Sequence, residues 1–80
     1  MDANQILNEF NVIFRDVLDN DDITLTRDTV AKDVEEWDSL SHVQLVVAIE
    51  KKFKIRFTSA EITSWKNVGE VVDAVAKKLN

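Results

Sequence analysis

The stretch of sequence that decides the fold is WDSLSHVQLVVAIEKKFK, residues 37–54. Asp38 is a residue type that begins helices well, because its carboxylate accepts hydrogen bonds from the N–H groups of the first turn. Apolar residues then recur at helical spacing, with no Gly or Pro between them. The pattern predicts a helix that begins at Asp38 or Ser39 and ends at about Lys54.

This predicted helix has two apolar faces, whereas an ordinary surface helix has one. With about 100° of rotation per residue, one face is expected to point to the core and to include His42. The core set is Leu45, Val46, Ile49 and Phe53. The other set is Leu40, Val43 and Val47, flanked by Gln44, Glu50 and Lys51. Either the preceding loop folds over this second set, or the set stays exposed as a docking surface for a partner.

Three further segments have helical patterns. Apolar spacing predicts a first helix from about Ala3 to about Leu18, with Asp2 as its cap. The Thr-x-x-Glu spacing of residues 58–61 predicts a capping box and a short helix to about Ser64. The Asn-x-x-Glu spacing of residues 67–70 predicts the start of the last helix. Its apolar stripe is Val68, Val71, Val72, Val75 and Leu79.

Residues 19–38 lack helical periodicity and are rich in Asp, Asn and Thr, which favour turns. Four apolar residues are expected to pin this long loop to the core: Ile23, Leu25, Val30 and Val34. Long loops of this kind are often functional. The sequence therefore predicts an all-α protein. We expect a small four-helix bundle, with three main helices, one short helix and a long first loop, as a single domain over residues 1–80.

Composition excludes several classes of function. The 80 residues include 10 basic and 15 acidic side chains, a net charge of −5, which argues against nucleic-acid binding and stable membrane association. Residues 1–38 hold 11 acidic and 3 basic side chains, and residues 39–80 hold 4 acidic and 7 basic, so the charge changes sign at Ser39. There is no Cys, and residues 1–18 contain no unbroken apolar run. A cytoplasmic monomer is expected.

Two groups of reactive residue types have spacings that argue against chemistry. Asp38, Ser39 and His42 include the members of a nucleophilic triad, but they are crowded on one helix without a Gly-x-Ser-x-Gly turn. A calcium loop that began at Asp19 would need Gly at Thr24 and Glu at Val30. We therefore predict no catalytic residue and no metal site. Trp37 and Trp65 are expected to anchor the core or its rim rather than to form a binding platform.

A family resemblance adds to this interpretation. The run Trp37-Asp38-Ser39-Leu40, followed by Val43, Leu45, Val46, Ile49, Glu50 and Phe53, resembles an acyl carrier protein, and the likeness covers nearly the whole chain. It implies that Ser39 is the attachment site of 4′-phosphopantetheine, which a phosphopantetheinyl transferase takes from coenzyme A. It implies that Asp38 helps the transferase to recognise the site. The arm's thiol would hold an acyl group as a thioester, and the carrier itself is not an enzyme.

The position of Ser39 also has electrostatic consequences. A phosphate there is expected to meet the free N–H groups and the positive dipole end of the helix. The resemblance implies a partner-binding surface made of Leu40, Val43, Gln44, Val47, Glu50, Lys51 and Ile62. The implied partners are the transferase and acyl ligase, synthase or acyltransferase enzymes of fatty-acid, polyketide-like or cell-surface modification pathways. Whether an acyl chain lodges between helices near Ile62 and Trp65 stays open.

Departures from the family pattern narrow the prediction. Bacterial carriers for fatty-acid synthesis typically have an acidic second helix, whereas Ser41, Gln44 and Lys51 occupy positions that are often acidic there. A partner with a basic docking patch would lose attraction to this face, so we predict a specialised carrier. Two alternatives remain. One is an unmodified protein-interaction domain of the same fold. The other is a carrier of an amino acid, although peptidyl carriers usually have Gly where Trp37 stands.

Overall fold

The structure is a computed structural model that describes residues 2–79. It contains four α-helices in this range: α1 (Ala3–Val17), α2 (Ser39–Phe53), α3 (Ser59–Ser64) and α4 (Val68–Leu79). No strand occurs among the described residues, so the prediction of an all-α fold is confirmed. Helices α1, α2 and α3 begin and end within one residue of their predicted boundaries, and α4 begins one residue after Asn67. Within the same range, no helix is both long and apolar enough to cross a bilayer.

The helix boundaries follow from capping contacts that the sequence indicates. At the start of α1, Asp2 and Gln5 form a reciprocal box, in which each backbone N–H donates to the other side chain at 2.9 Å. At the start of α3, Thr58 N donates to Glu61 Oε1 at 2.9 Å and Glu61 N donates to Thr58 Oγ1 at 3.2 Å. Both predicted caps are therefore confirmed.

The predicted box at the start of α4 is only half correct. Asn67 Oδ1 accepts from Glu70 N at 3.0 Å, as expected. The Glu70 carboxylate, however, accepts from Lys66 N at 3.0 Å, one residue before the predicted donor. The cap therefore fixes the turn before α4 as well as the helix itself.

The core lies where α1 packs against α2 and α4. Its most deeply buried side chains come from all three helices: Ile6, Phe10, Leu45, Val68, Val72 and Val75. The rings of Phe10 and Phe53 meet edge to face with centres 6.1 Å apart, which joins α1 to the end of α2. Burying each such side chain stabilises the fold by about 1.5–3 kcal/mol, before the entropy cost of ordering it.

Leu79 was expected to continue the apolar stripe of α4, and this prediction is wrong. Its side chain is 37% exposed at the last turn. Lys78 covers the neighbouring apolar surface instead, because its Nζ lies 5.4 Å from the centre of the Phe57 ring and 3.2 Å from Glu61 Oε2. A long charged side chain thus shields the end of this core, with its ammonium group held by a carboxylate.

The first loop, residues 18–38, is held by α1 along its first half. Arg15 Nε donates to Ile23 O at 2.6 Å, and Leu25 N donates to Asn11 Oδ1 at 2.7 Å. The predicted anchors are largely confirmed: Ile23, Leu25 and Val34 are buried, and Val30 is half-buried. A short 3₁₀ turn at Ala31–Asp33 interrupts the loop, which the sequence analysis did not predict.

The second half of the loop is held by α4 at its only glycine. Val68 N donates to Thr29 O at 2.9 Å, and Gly69 N donates to Arg27 O at 2.8 Å. A Cβ at Gly69 would lie 2.9 Å from Arg27 O, closer than side chains approach a backbone carbonyl. A residue without a side chain therefore lets the loop backbone lie directly on α4.

Candidate functional site

Ser39 is the first residue of α2 and is exposed. Its position is set by its neighbours, because Asp38 Oδ1 accepts from Leu40 N at 3.0 Å and from Ser41 N at 2.9 Å. Ser41 returns the contact, since its Oγ accepts from Asp38 N at 2.8 Å and donates to Glu36 O at 2.9 Å. Ser41 is buried for this capping role, which leaves Ser39 as the hydroxyl presented to solvent.

The charge at this helix end is fixed by the same contacts. The backbone N–H of Ser41 holds the pKa of Asp38 below its ordinary value, with further help from the Ser41 side chain and the backbone N–H of Leu40, and against the opposing effect of desolvation. Asp38 is therefore a carboxylate at neutral pH, on the residue that precedes Ser39.

The expectation that a phosphate on Ser39 would meet free N–H groups does not hold for the three N–H groups that follow Ser39 in α2. The N–H groups of Leu40 and Ser41 already donate to the Asp38 carboxylate, and His42 N donates to Asp38 O at 2.8 Å. A phosphate there meets the positive end of the helix dipole. Its partner for a direct charged contact must come from elsewhere.

The two apolar faces of α2 are present as predicted. Leu45 and Ile49 are 1% and 2% exposed. On the other face, Leu40, Val43 and Val47 are 71%, 60% and 42% exposed. The loop does not cover them, so the alternative of a loop folded over this stripe is wrong. We call Leu40, Val43 and Val47 the outer stripe of α2.

The other residues of the predicted partner surface differ in their exposure. Gln44 and Lys51 are exposed next to the outer stripe. Glu50 is half-buried, and its Oε2 accepts from Phe57 N at 2.9 Å, so it fixes the link after α2. Ile62 is half-buried on α3. The predicted partner surface therefore offers apolar, polar and basic side chains. Its one acidic residue, Glu50, is already hydrogen-bonded to Phe57 N.

His42 was expected among the core residues of α2, and this prediction is wrong. Its side chain is half-buried, and its Nδ1 accepts from Trp37 Nε1 at 3.1 Å. The Trp37 and His42 rings stack with centres 6.0 Å apart, and the Trp65 ring meets the His42 ring edge to face at 6.4 Å. The indole of Trp37 thus holds the imidazole at the rim, through its hydrogen bond to His42 Nδ1.

A groove of about 350 Å³ opens beside Ser39, and we call it the Ser39 groove. Its lining residues come from the loop, α2 and the α3–α4 turn: Ala31, Trp37, Asp38, Ser39, His42, Trp65, Lys66, Asn67 and Val71. Trp37 and Trp65 are half-buried and pack on the core, which confirms their role as rim anchors. Sequence reasoning missed Lys66, because no local pattern connects it to a serine on another helix.

These residues fit a covalently attached anionic group. Ser39 offers an exposed hydroxyl at a positive helix end, and the groove next to it can hold part of a flexible chain. Lys66 is exposed and lines the same groove, so the groove that Ser39 borders also holds a cation. The side-chain hydrogen bonds of Asp38 and His42 go to Leu40, Ser41 and Trp37 rather than to the Ser39 hydroxyl, which suits modification better than nucleophilic attack.

Comparison with known proteins agrees with this geometry. The profile of the family described as "Phosphopantetheine attachment site" matches residues 9–75. A curated acyl carrier protein from Acidothermus cellulolyticus is 49% identical over 39 residues, which are 49% of this chain and 46% of that protein. The match thus spans about half the length of this curated relative.

A solved structure is similar over much more of the chain. The solution NMR structure of holo acyl carrier protein from Geobacter metallireducens is 49% identical and has a TM-score of 0.87, over 92% of this chain and 85% of that one. The fold and the family match define a carrier domain that attaches phosphopantetheine. The chain belongs to the acyl carrier protein family, whose cofactor is covalently bound 4′-phosphopantetheine.

Proposed function

We propose that Ser39 carries the 4′-phosphopantetheine arm and that the chain presents acyl groups to partner enzymes without catalysing a reaction itself. The observation that carries this proposal is the exposed Ser39 at the start of α2, inside the segment that matches the attachment-site family. When bound, the arm supplies a thiol that holds an acyl group as a thioester. The tether raises the effective concentration of the acyl group at a partner's active site to about the millimolar range.

The residues around Ser39 have separate tasks in this function. Asp38 orders the first turn of α2 and supplies a carboxylate one residue before Ser39, which a transferase and its metal ion can recognise. Lys66 lines the groove that Ser39 borders and offers a cation to the phosphate of the arm. The outer stripe of α2 provides apolar contacts for the transferase and for later partners.

The charge around the outer stripe supports a specialised carrier rather than the main carrier of fatty-acid synthesis. Lys51, Lys54 and Arg56 are exposed at the end of α2 and line a shallow groove with Val47. A partner with a basic docking patch is repelled at this end, whereas a partner with acidic residues there is attracted. The proposed partners are acyl ligases, synthases or acyltransferases of polyketide-like or cell-surface modification pathways. The proposed carrier is a monomer in the cytoplasm.

The experiment is incubation of the protein with coenzyme A and a broad-specificity phosphopantetheinyl transferase, followed by intact-mass and peptide mass spectrometry. We expect one added arm, located on Ser39, and none in Ser39→Ala. Ser59→Ala is the matched control, because Ser59 is also the exposed first residue of a helix, α3, and its loss should leave the modification unchanged.

The same experiment separates this proposal from the interaction-domain alternative. An equal mass gain in wild type and Ser39→Ala would show that another residue is modified. No gain in wild type, together with partner binding that survives Ser39→Ala, would favour an unmodified domain that uses the exposed outer stripe alone.

A further inference from the structure

A groove at the end of α2 is lined by basic side chains, and we call it the α2-end groove. It has a volume of about 540 Å³ and is lined by Val47, Glu50, Lys51, Lys54, Ile55 and Arg56. The exposed cations Lys51, Lys54 and Arg56 are called the basic triplet below. Residues 39–56 hold four basic side chains and one acidic side chain, although the whole chain has a net charge of −5. The groove is therefore a local reversal of the charge of the molecule.

The basic triplet differs from the neighbouring lysine of α2 in its ion pairs. Lys52 Nζ lies 3.2 Å from Glu9 Oε2, so that lysine ties α2 to α1. Within residues 2–79, no carboxylate forms an ion pair with a member of the basic triplet. Three positive charges at the end of α2 are therefore open to a partner.

The helix dipole accounts for only part of the basic triplet. Lys51 lies in the last turn of α2, where the negative end of the dipole stabilises a cation. Arg56 lies beyond Phe53, the last residue of the helix. Lys54 is the C-cap with φ 57°, in the left-handed region where glycine is the usual residue. A charged side chain thus occupies a backbone position that favours glycine, which ending the helix does not require.

The link that follows α2 holds two of these cations in fixed positions. The backbone oxygen of Glu50 accepts from Ile55 N at 3.1 Å, and its Oε2 accepts from Phe57 N at 2.9 Å. Ile55 and Phe57 pack against the core, whereas Lys54 and Arg56 are exposed. Because the backbone is already ordered, a partner that contacts these cations loses little entropy by ordering it.

We propose that the α2-end groove binds an acidic segment of a partner protein, whose carboxylates contact the basic triplet while an apolar side chain packs on Val47. Val47 is 42% exposed and belongs to both the outer stripe and this groove, so the charged contact continues the apolar one. Opposite charges at such a contact raise the rate of encounter and select the partner. The inference rests on the proposed function only for the kind of partner, which is an enzyme that acts on the carried acyl group.

A protein segment fits this site better than an anionic membrane does. The basic triplet lines a groove, into which a helix or loop can project, whereas a bilayer presents a broad surface. Residues 1–38 hold 11 acidic and 3 basic side chains. One of these carboxylates, on Glu9, lies against Lys52 in the last turn of α2. A broad anionic surface would therefore meet acidic groups as well as the triplet.

The probes for the test are two synthetic helical peptides with the same leucine stripe, one flanked by glutamates and the other by lysines. Amide chemical shifts of the ¹⁵N-labelled full chain report the binding site and the affinity. With the glutamate peptide, we expect saturable shifts at Val47, Lys51 and residues 54–56. The affinity should fall about tenfold between about 10 mM and about 100 mM NaCl, because the Debye length falls from about 30 Å to about 10 Å. The lysine peptide should give no saturable shifts there.

Three variants test the basic triplet. The double variant Lys51→Gln, Arg56→Gln should bind the glutamate peptide about tenfold more weakly at low salt. Lys54→Gly removes the third charge and suits the left-handed backbone, so we expect weaker binding with an unchanged or higher free energy of unfolding. The matched control is Lys32→Gln, Lys77→Gln, which removes two exposed charges outside the groove and should bind as wild type does.

The outcomes separate this inference from the attachment of the arm. Ser39→Ala should bind the glutamate peptide as tightly as wild type. A wild type that gains the arm by mass, yet shows no saturable shifts in the α2-end groove, overturns this inference and leaves the proposed function intact. A protein that binds the peptide but gains no arm overturns the proposed function and the assignment of the partner as an acyl-handling enzyme. Equal binding by the triplet and control double variants would overturn the role of the triplet.

Two other occupants are tested with the same protein. Phosphatidylcholine vesicles that contain phosphatidylglycerol represent an anionic membrane, and a concentration series of the protein alone represents a second copy. Vesicle binding that depends on the basic triplet and competes with the glutamate peptide would overturn the proposal in favour of a membrane. Groove shifts that grow with protein concentration and vanish in Lys51→Gln, Arg56→Gln would overturn it in favour of self-association.

Discussion

The two sides of α2 have nearly the same residue types and opposite surroundings. Ile49, on the inner side, is 2% exposed, whereas Val47, two positions earlier, is 42% exposed. Leu45 is 1% exposed, whereas Leu40 is 71% exposed. The inner side packs against α1, and no described segment lies over the outer side. The burial of a residue in α2 is therefore determined by its position around the helix and not by its residue type.

The difference between the sides depends on where the first loop is fixed. The loop is long enough to cross the outer stripe, yet its backbone is bonded to α1 through Asn11 and to α4 through Gly69. An exposed apolar stripe is unfavourable in solution unless it contacts a partner. The loop anchors on α1 and α4 thus leave the outer stripe exposed.

The largest expected effect comes from placing a charge on the inner side. Ile49→Asp puts a carboxylate into a site that is 2% exposed, and we expect the domain to unfold. Even the milder Ile49→Ala should cost about 2–5 kcal/mol of unfolding free energy. A chain of this size has only about 4–12 kcal/mol in total. Circular dichroism and urea unfolding would measure both changes.

Val47→Asp is the matched variant on the outer side. Because its side chain is 42% exposed, we expect a change in unfolding free energy of about 0.5 kcal/mol or less and a normal helical signal. If Val47→Asp and Ile49→Asp lost their helical signal to the same extent, the separation of α2 into two sides would be wrong.

A second, smaller effect is expected where the loop meets α4. Gly69→Ala places a Cβ 2.9 Å from the Arg27 carbonyl oxygen, and such overpacking costs about 1–3 kcal/mol. The higher helix propensity of alanine relative to glycine offsets up to about 1 kcal/mol of this cost. We expect a net loss of about 1–2 kcal/mol in urea unfolding, with faster hydrogen exchange at the amide of residue 69.

Asp73→Asn provides the control for this loop contact. It weakens the exposed ion pair with Arg27, whose Nη2 lies 2.9 and 2.8 Å from the two carboxylate oxygens, but it introduces no steric clash. A smaller loss than in Gly69→Ala is expected. If the alanine variant were more stable than wild type, the close approach of the loop would not be what requires glycine here.

On the outer side of α2, we expect a substitution to weaken recognition by the transferase rather than to lower the unfolding free energy. Val43→Asp places a charge in the middle of the outer stripe, and we expect about a tenfold lower kcat/KM for transfer of the arm to Ser39, equivalent to about 1.4 kcal/mol. Val12→Asp is the matched control, because Val12 is 61% exposed on α1, similar to the 60% of Val43. Equal transfer rates for the two variants would argue against a docking role for the outer stripe.

Much of the fold could be predicted because it depends on local rules. Helical periodicity and the caps at Asp2, Asp38 and Thr58 place α1, α2 and α3 within one residue of their observed bounds. The same periodicity predicts the buried and exposed sides of α2. Ser39 follows from local sequence as well, since its helix start and the family pattern occur in one continuous stretch.

The remaining features depend on contacts between distant residues. His42 lies at the edge of the inner side, and only the indole of Trp37 decides that it stays at the rim. Trp65 and Lys66 reach the Ser39 groove through the turn before α4, which no local pattern in α2 indicates. The single Gly in the sequence does not by itself predict where the loop packs, because that role depends on the position of Arg27 O next to Gly69. These features were missed or misplaced because each depends on a contact between residues that are not predicted to meet from the local sequence.

The smallest expected effect concerns Asp38, the N-cap residue of α2. The N–H groups of Ser41 and Leu40 stabilise the charged form of Asp38, so its pKa in the folded state is lower than in the unfolded state, where it is about 3.9. A carboxyl group of this kind contributes stability above its unfolded pKa. That contribution is lost as the pH falls through the folded value.

Asp38→Asn tests this contribution, because the amide oxygen can still accept from the first turn but carries no charge. We expect wild type to be more stable than the variant at pH 6, and the gap to narrow as the pH falls below about 3.9. Urea unfolding between pH 2 and pH 6 would measure the gap, and NMR titration of the Asp38 carboxyl would give its pKa directly. A gap that stays constant over this range would mean that the cap orients both sides of α2 by hydrogen-bond geometry alone.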